Sequence, residues 1–256
     1  MSKKMSGHLI AFEMDVTIDE QVENAKNLVT DHLMQSGKQL HAVVNNVGII
    51  GNYLVDDVLT LDDYKKAFDV NALSVIRTVK AFKSLIKQSR GRIITCVCSA
   101  TRFVIPGFGP YTTSKCASKA YMETIRHELY PFGVTVVTIE PGQYQTDGND
   151  AGSIPTIIDA VWKRATPEQK NEYGEYFAAA AKKVSMRLNQ GSPTDISPVI
   201  DAYFHAIAAK WPYKSYLCGT TCKLLHWPYS FLPVAVQEVI MAFFGWLYTM
   251  PPYAHC

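Results

Sequence analysis

The sequence predicts an α/β protein built on a parallel sheet, because strand-like and helix-like segments alternate along the chain. Short apolar runs at residues 40–44, 92–97 and 134–139 predict buried strands. Between them, residues 60–86 and 111–130 repeat apolar side chains at helical spacing. Strands joined through helices in this way form a doubly wound sheet, with helices on both of its faces.

Length and composition favour a single globular domain. The 256 residues are 48% hydrophobic and 19% charged, which excludes a disordered or collagen-like chain. A formal net charge of +2 with no long basic run gives no reason to expect a nucleic-acid partner. The six cysteines lack the spacing of zinc ligands, so we expect reduced thiols and no metal site.

An apolar tail, residues 229–256, follows the main part of the domain at residues 1–228. Within it, residues 229–249 are rich in Phe, Leu, Val and Trp, but Gln237 and Glu238 lie mid-segment. A spanning helix needs about 20 apolar residues without such polar groups, so an interfacial helix is favoured over a spanning one. A helix that covers the core, or contacts a second copy in a homo-oligomer, fits the pattern equally well.

Polar residues follow the predicted strands, at the sheet edge where doubly wound proteins bind their ligands. One such cluster precedes a helix that carries Tyr111 and Lys115 at positions i and i+4, which share a helix face. A nearby cation lowers the pKa of a phenol, and a general acid or base working near neutral pH needs that shift. Ser99 ends the preceding strand, where its hydroxyl can bind a substrate oxygen. Asn71 lies inside a helix, where an amide suggests a polar contact.

Six motifs occur in a fixed order: DVT at Asp15, NNVG at Asn45, helical Asn71, strand-end Ser99, YTTSK at Tyr111 and EPGQYQT at Glu140. This series resembles the short-chain dehydrogenase/reductase family over residues 9–146. The weaker match after it resembles the retinol, hydroxysteroid and 3-hydroxybutyrate dehydrogenase branch, whose tail is apolar and membrane-associated. The resemblance implies a Rossmann-like fold and hydride transfer between NAD or NADP and a lipophilic, retinoid-like or steroid-like alcohol.

The resemblance also implies roles for the catalytic candidates. Tyr111 would protonate or deprotonate the substrate oxygen, and Lys115 would lower the Tyr111 pKa and hold the nicotinamide ribose. Ser99 would orient the substrate oxygen, and Asn71 would support a proton-relay water. Cys98 stands where a second serine is common, and we expect this difference to matter little.

Seven residues would surround the cofactor if the resemblance holds. Asp15 and Val16 would flank the adenine, Asn46 and Gly48 the adenosine side, and Pro141, Gly142 and Thr146 the nicotinamide, next to Tyr111 and Lys115. The expected location is intracellular, either cytoplasmic or on the endoplasmic reticulum membrane.

The family begins with a strand, a TGxxxGxG turn and a helix, and no such turn occurs in these 256 residues. We therefore expect a Rossmann-like sheet that lacks its first βαβα unit. The residue that selects NAD or NADP belongs to that unit, and NAD is favoured. Without the glycine turn we expect weak dinucleotide binding. Two interpretations stay open: a shortened version of an active enzyme, or a non-catalytic binding or interaction protein on the same scaffold.

The N-terminal residues predict a strand and a helix. Residues 8–14 form an apolar run, and Thr17 and Glu20 have the spacing of a capping box for a helix ending at Gly37. An unpaired strand exposes both rows of its backbone groups, so we predict that residues 8–14 pair with residues 40–44. The alternative is an N-terminal segment that stays unpaired.

Overall fold

Four parallel strands form the sheet of the protein. The structure is a computed structural model, and it describes residues 9–145 and 153–247. The strands are β1 (Ala42–Asn45), β2 (Arg92–Cys96), β3 (Thr135–Pro141) and β4 (Ser215–Cys218), in the spatial order β1-β2-β3-β4. Each neighbouring pair is parallel, which confirms the predicted fold class.

Helices connect the strands and follow the last one. In chain order they are α1 (Asp19–Ser36), α2 (Leu61–Phe68), α3 (Ser74–Ser89), α4 (Gly109–Leu129), α5 (Ser153–Lys163), α6 (Pro167–Tyr173), α7 (Phe177–Gln190), α8 (Ser197–Ala208), α9 (Trp227–Tyr229) and α10 (Val234–Leu247). Five residues of π-helix, Asp69–Leu73, join α2 to α3, so that the two form one interrupted rod. Thr60 caps α2 through a capping box with Asp63.

Two apolar clusters cover the two faces of the sheet. On one face, α3 and α4 bury residues such as Val79, Ile86 and Met122 against Ile93 and Val136. On the other face, Ala202 and Ala206 of α8 pack against Ile94, Val137 and Ile139. Because both faces are covered, the consecutive residues Ile93 and Ile94 of β2 and Val136 and Val137 of β3 are all buried, as expected for a parallel strand between two layers of helices.

A third cluster lies apart from the sheet. It joins the segment after β1, through Tyr53, Leu54 and Val58, to α5 and α7, through residues such as Ile158 and Ala178. An ion pair supports the same junction, because Arg164 donates to Asp63 through Nη1 (3.2 Å) and Nη2 (2.8 Å). The cluster and the ion pair therefore hold residues 53–63 against α5 and the turn that follows it.

The predicted pairing of the N-terminal run with β1 is wrong. In the described residues β1 pairs with β2 alone, and residues 9–14 form no strand. Leu9 and Ile10 are 94% and 53% exposed. The end of this segment is held elsewhere, because Arg77 of α3 donates through Nη1 to the carbonyl oxygen of Val16 (2.9 Å) and pairs with Asp19. This anchor ties the start of α1 to α3.

The predicted capping box at the start of α1 is also wrong. The helix begins at Asp19, after Ile18, and no side chain caps its first turn. The Thr17 hydroxyl instead donates to the Asp15 carboxylate (2.7 Å), which also accepts from the Thr17 amide (2.8 Å). The predicted end of the helix is confirmed, since Gly37 takes a left-handed conformation with φ 63°.

The C-terminal tail is helical where the structure describes it, as predicted. Helix α10 exposes Val234 (68%), Val239 (70%) and Phe243 (58%), and the preceding turn exposes Phe231 (69%). Within residues 9–145 and 153–247, no helix has the length and apolarity that crossing a membrane requires. The tail therefore presents an apolar surface with nothing from the described chain covering it at these positions.

Candidate active site

The site begins with the π-helical turn between α2 and α3. A π-turn inserts one residue into a helix and is found frequently at functional sites. Here it places Asn71, which is 1% exposed, beneath the segment that follows β1. The Asn71 Oδ1 accepts from the Ile49 amide (2.8 Å), and its Nδ2 donates to the Ile49 carbonyl (2.9 Å) and to Ser114 Oγ (2.9 Å). The amide thus links α4 to that segment.

Helix α4 brings Tyr111 and Lys115 to the same side, as the i,i+4 spacing predicts. Pro110 lies in the first turn, a position where its missing N–H is no loss. The Lys115 side chain is buried, and its Nζ donates to the carbonyl oxygen of Cys96 (3.1 Å). The same Nζ lies 5.9 Å from the centre of the Tyr111 ring. The cation and the phenol therefore share one space above the end of β2.

Gly48 approaches this cation closely. A Cβ atom built on Gly48 would lie 2.8 Å from Lys115 Nζ and 3.1 Å from Asn71 Oδ1. Any side chain at this position would displace the amine, so a glycine is required for the observed packing. Gly48 belongs to the NNVG motif, and its proximity to Lys115 was not evident from the sequence.

The pKa of Tyr111 is raised well above its ordinary value, contrary to the sequence expectation. Burial is the main cause, and hydrogen bonding to Cys98 together with the nearby Cys98 and Cys96 thiols adds to it. Lys115 does not bring the pKa of Tyr111 back down, because its amine is bound to the Cys96 carbonyl and lies 5.9 Å from the centre of the Tyr111 ring. Cys98 is therefore the direct partner of the Tyr111 hydroxyl, so the expectation that a cysteine at this position matters little is wrong.

Ser99 lies next to this contact but its hydroxyl has a different partner. It is 2% exposed and begins a short 3₁₀ turn at the end of β2. Its side chain hydrogen-bonds the thiol of Cys222, whose pKa burial raises. The structure thus brings the Ser99 segment to Tyr111 through Cys98, while the Ser99 hydroxyl contacts the segment after β4.

The end of β3 closes the site from the other side. The Gly142 amide donates to the Cys218 carbonyl (3.0 Å), and a Cβ on Gly142 would lie 2.7 Å from Cys222 Sγ. Cys98 Sγ contacts the carbonyl oxygen of Pro141 at 3.5 Å. Pro141 and Gly142 therefore lie beside the Tyr111 group, whereas Thr146 lies outside the described residues.

The two candidates for the adenine, Asp15 and Val16, lie at a cleft beside the segment that follows β1. Asp15 and Val16 line a cavity of about 720 Å³ together with Val47 and Val70. Asn46 lies at the end of β1, and its Oδ1 accepts from the hydroxyl of Tyr203 (2.6 Å). Tyr203 comes from α8, 157 positions further along the chain, and no sequence signal connects the two residues.

Comparison with known proteins shows the family to which the chain belongs. Residues 1–153 match the family model for short chain dehydrogenases. The 3beta-hydroxysteroid dehydrogenase dhs-16 of Caenorhabditis elegans is 36% identical over 245 residues, which are 94% of this chain and 63% of that protein. Retinol dehydrogenase 16 of Homo sapiens is 33% identical over 236 residues, which are 92% of this chain and 74% of that protein. The chain belongs to the short-chain dehydrogenase family.

Solved structures of the short-chain dehydrogenase fold superpose on this chain. A 3-ketoacyl-ACP reductase from Sinorhizobium meliloti 1021 has a TM-score of 0.64 at 24% identity, covering 86% of this chain and 81% of its own. A short chain dehydrogenase/reductase from Burkholderia phymatum, solved with NAD, has a TM-score of 0.61 at 21% identity, covering 96% and 80%. The chain spans less than two thirds of the length of dhs-16.

The Gly48 contact yields a prediction. Replacing Gly48 by Ala should push Lys115 Nζ off the Cys96 carbonyl, and it should lower the rate of any reaction that Tyr111 and Lys115 catalyse together about tenfold or more. The fold should lose about 1–3 kcal/mol, because the buried amine loses its hydrogen bond to the Cys96 carbonyl. Steady-state kinetics and urea unfolding measure the two effects.

Gly37→Ala is the matched control for this change. Gly37 has φ +63° and nothing within 4 Å of a built Cβ, so Ala there strains the backbone without touching the site. It should cost about 1–2 kcal/mol of stability and leave the rate unchanged. Equal rates for Gly48→Ala and the unsubstituted protein would contradict the assigned role of Gly48.

Proposed function

We propose that the protein is a nicotinamide-dependent alcohol dehydrogenase or carbonyl reductase acting on lipophilic substrates. The observation that carries this proposal is the proximity of Lys115 Nζ to the Tyr111 ring, at 5.9 Å from its centre. Asn71 holds α4 through Ser114, and Gly48 packs against Lys115 Nζ. A phenol beside a buried ammonium supplies a proton donor and a cation to one substrate region. NAD or NADP would supply the hydride acceptor or donor, with NAD favoured.

The residues near the site divide between two tasks. Tyr111 would exchange the proton with the substrate oxygen, and Ser99 and Cys98 offer a hydroxyl and a thiol beside it. Lys115 would hold the nicotinamide ribose, and Pro141 and Gly142 would lie against the ring. Asp15, Val16 and Asn46 would serve the adenosine end. The cleft that Asp15 and Val16 line supports the assignment of these two residues.

The raised pKa of Tyr111 favours the reductive direction. A raised pKa makes the phenolate of Tyr111 scarce at neutral pH, so it disfavours alcohol oxidation, which needs the phenolate, more than carbonyl reduction, which needs the protonated phenol. The rate of ketone reduction should therefore stay constant through neutral pH and fall only as the pH rises through the raised pKa. An alcohol oxidation would have the opposite dependence, because it needs the phenolate.

Substitution of the acid tests the activity directly. Tyr111→Phe should lower kcat for reduction of a steroid ketone or retinaldehyde by about 10²-fold or more, since it removes the transferable proton. Tyr130→Phe is the control, because Tyr130 is 78% exposed just beyond the end of α4. Kinetics with NADH and NADPH in the millimolar range allow for weak cofactor binding. Equal kcat values for Tyr111→Phe and Tyr130→Phe would contradict the assignment of Tyr111 as the proton donor.

A second candidate is a non-catalytic binding or interaction protein on the same scaffold. The contact that favours it is the hydrogen bond between the Tyr111 hydroxyl and Cys98, which occupies the catalytic oxygen. The distinguishing feature in the sequence is the glycine turn, which these 256 residues do not contain. If this candidate is right, calorimetry should detect binding of the substrate, and the protein should show no turnover of that substrate at saturating cofactor.

We propose further that the tail, residues 229–249, contacts a membrane surface, with the endoplasmic reticulum favoured over a purely cytoplasmic location. The exposed Phe231, Val239 and Phe243 support this, and a homo-oligomer contact is the competing use of the same surface.

Sedimentation with phosphatidylcholine vesicles separates these uses of the tail. Replacing Val239 and Phe243 by Ser should leave the protein in the supernatant, because the apolar anchor is lost. The control is Phe204→Ser, which removes an aromatic ring that is 72% exposed on α8. Vesicle binding that survives the double substitution would contradict the membrane contact.

A further inference from the structure

Glu140, at the end of β3, is a carboxylate with no solvent exposure. Arg102 donates to it through Nε (2.5 Å) and Nη2 (3.1 Å), and Ser215 Oγ donates at 2.6 Å. Lys119 Nζ stands 4.0 Å away on α4. Burial alone would raise the pKa of Glu140, but Arg102, Ser215 and Lys119 bring it below its ordinary value. Arg102 and Glu140 are therefore both charged, and two hydrogen bonds join the guanidinium to the carboxylate in a forked, bidentate pair.

The two partners lie on the two segments that form the site. Arg102 closes the 3₁₀ turn that Ser99 begins, because its amide donates to the Ser99 carbonyl (2.9 Å). Glu140 comes directly before Pro141 and Gly142. The last ladder bond between β2 and β3 joins the Val97 amide to the Ile139 carbonyl (2.9 Å). Beyond that bond, the Arg102–Glu140 pair is the strongest tie between the two segments.

Stability alone is a weak reason to bury such a pair. Removing two charges from water is costly, and apolar residues of similar volume often serve a fold equally well. A forked guanidinium–carboxylate pair does fix distance and orientation, since two parallel hydrogen bonds leave little freedom. The structure thus uses a rigid contact at the point where the sheet ladder ends.

We propose that Arg102 and Glu140 form a positioning pair that sets the distance between the Ser99–Cys98 segment and the Pro141–Gly142 segment. This inference rests on the proposed function, in which the first segment holds the substrate oxygen and the second faces the nicotinamide. Neither residue needs to touch the reacting atoms. The pair acts through the spacing of the two segments, and so on the alignment of hydride donor and acceptor.

Kinetics of near-isosteric variants test the pair. Glu140→Gln and Arg102→Met should lower kcat about 10- to 100-fold while the KM for the ketone stays nearly unchanged, because alignment rather than binding is lost. Arg102→Lys keeps the charge without the fork and should recover part of the loss. Unchanged kcat in folded Glu140→Gln and Arg102→Met proteins would overturn the proposal.

The Asp63–Arg164 pair provides a matched control. It is also a forked pair with a buried carboxylate, but it joins α2 to the turn after α5. Asp63→Asn should destabilise the fold to a similar degree and leave kcat unchanged. A parallel loss of kcat in Asp63→Asn and Glu140→Gln would reduce the Arg102–Glu140 pair to a general stability effect.

A second readout needs no activity. Cys98 Sγ contacts the Pro141 carbonyl, so its alkylation by iodoacetamide reports on the spacing of the two segments. Mass spectrometry should show several-fold faster alkylation of Cys98 in Glu140→Gln than in the unsubstituted protein or Asp63→Asn. Equal rates in all three would overturn the proposal. If the unsubstituted protein reduces no ketone, the proposed function fails, and the alkylation rates still decide the role of the pair.

Discussion

The buried amide of Asn71 is the contact on which the site depends. Its oxygen and nitrogen bond both backbone groups of Ile49, much as a neighbouring strand would, and its second N–H reaches Ser114 on α4. A buried amide with unmet hydrogen bonds is costly, so all three partners must keep their places. The segment after β1, the interrupted helix α2–α3 and helix α4 are thereby fixed relative to one another. Lys115 and Gly48 meet within that frame.

The chemistry of the site follows from which groups this frame buries. Lys115 is held by a backbone carbonyl, and the Tyr111 hydroxyl meets a thiol. Burial outweighs the cation in setting the pKa of Tyr111, because charge on the phenol is costly away from water. The reductive direction proposed above depends on this balance. The raised pKa of the buried Cys96 thiol has the same main cause.

Much of this could be predicted from the sequence, and the failures have identifiable causes. Strands β1 to β3 and the i,i+4 pair on α4 follow from local periodicity, and they are where the sequence places them. The hydrogen-bond partners of Ser99 and Asn46 could not be predicted from local periodicity, because Cys222 and Tyr203 lie more than a hundred residues further along the chain. The pKa of Tyr111 was predicted in the wrong direction, since spacing reveals a nearby cation but not burial. The N-terminal pairing failed because a tertiary contact, Arg77 on Val16, outweighed the strand pattern.

Amide hydrogen exchange at Ile49 tests the frame most directly. Ile49 lies outside every strand, yet its amide donates to Asn71 at 2.8 Å, so it should exchange slowly in the unsubstituted protein. Asn71→Ser should abolish this protection, whereas Asn52→Ser, a change in the same segment whose side chain bonds Asp63 instead, should leave it in place. Fast exchange at Ile49 in the unsubstituted protein, or protection that survives Asn71→Ser, would contradict the central role of Asn71.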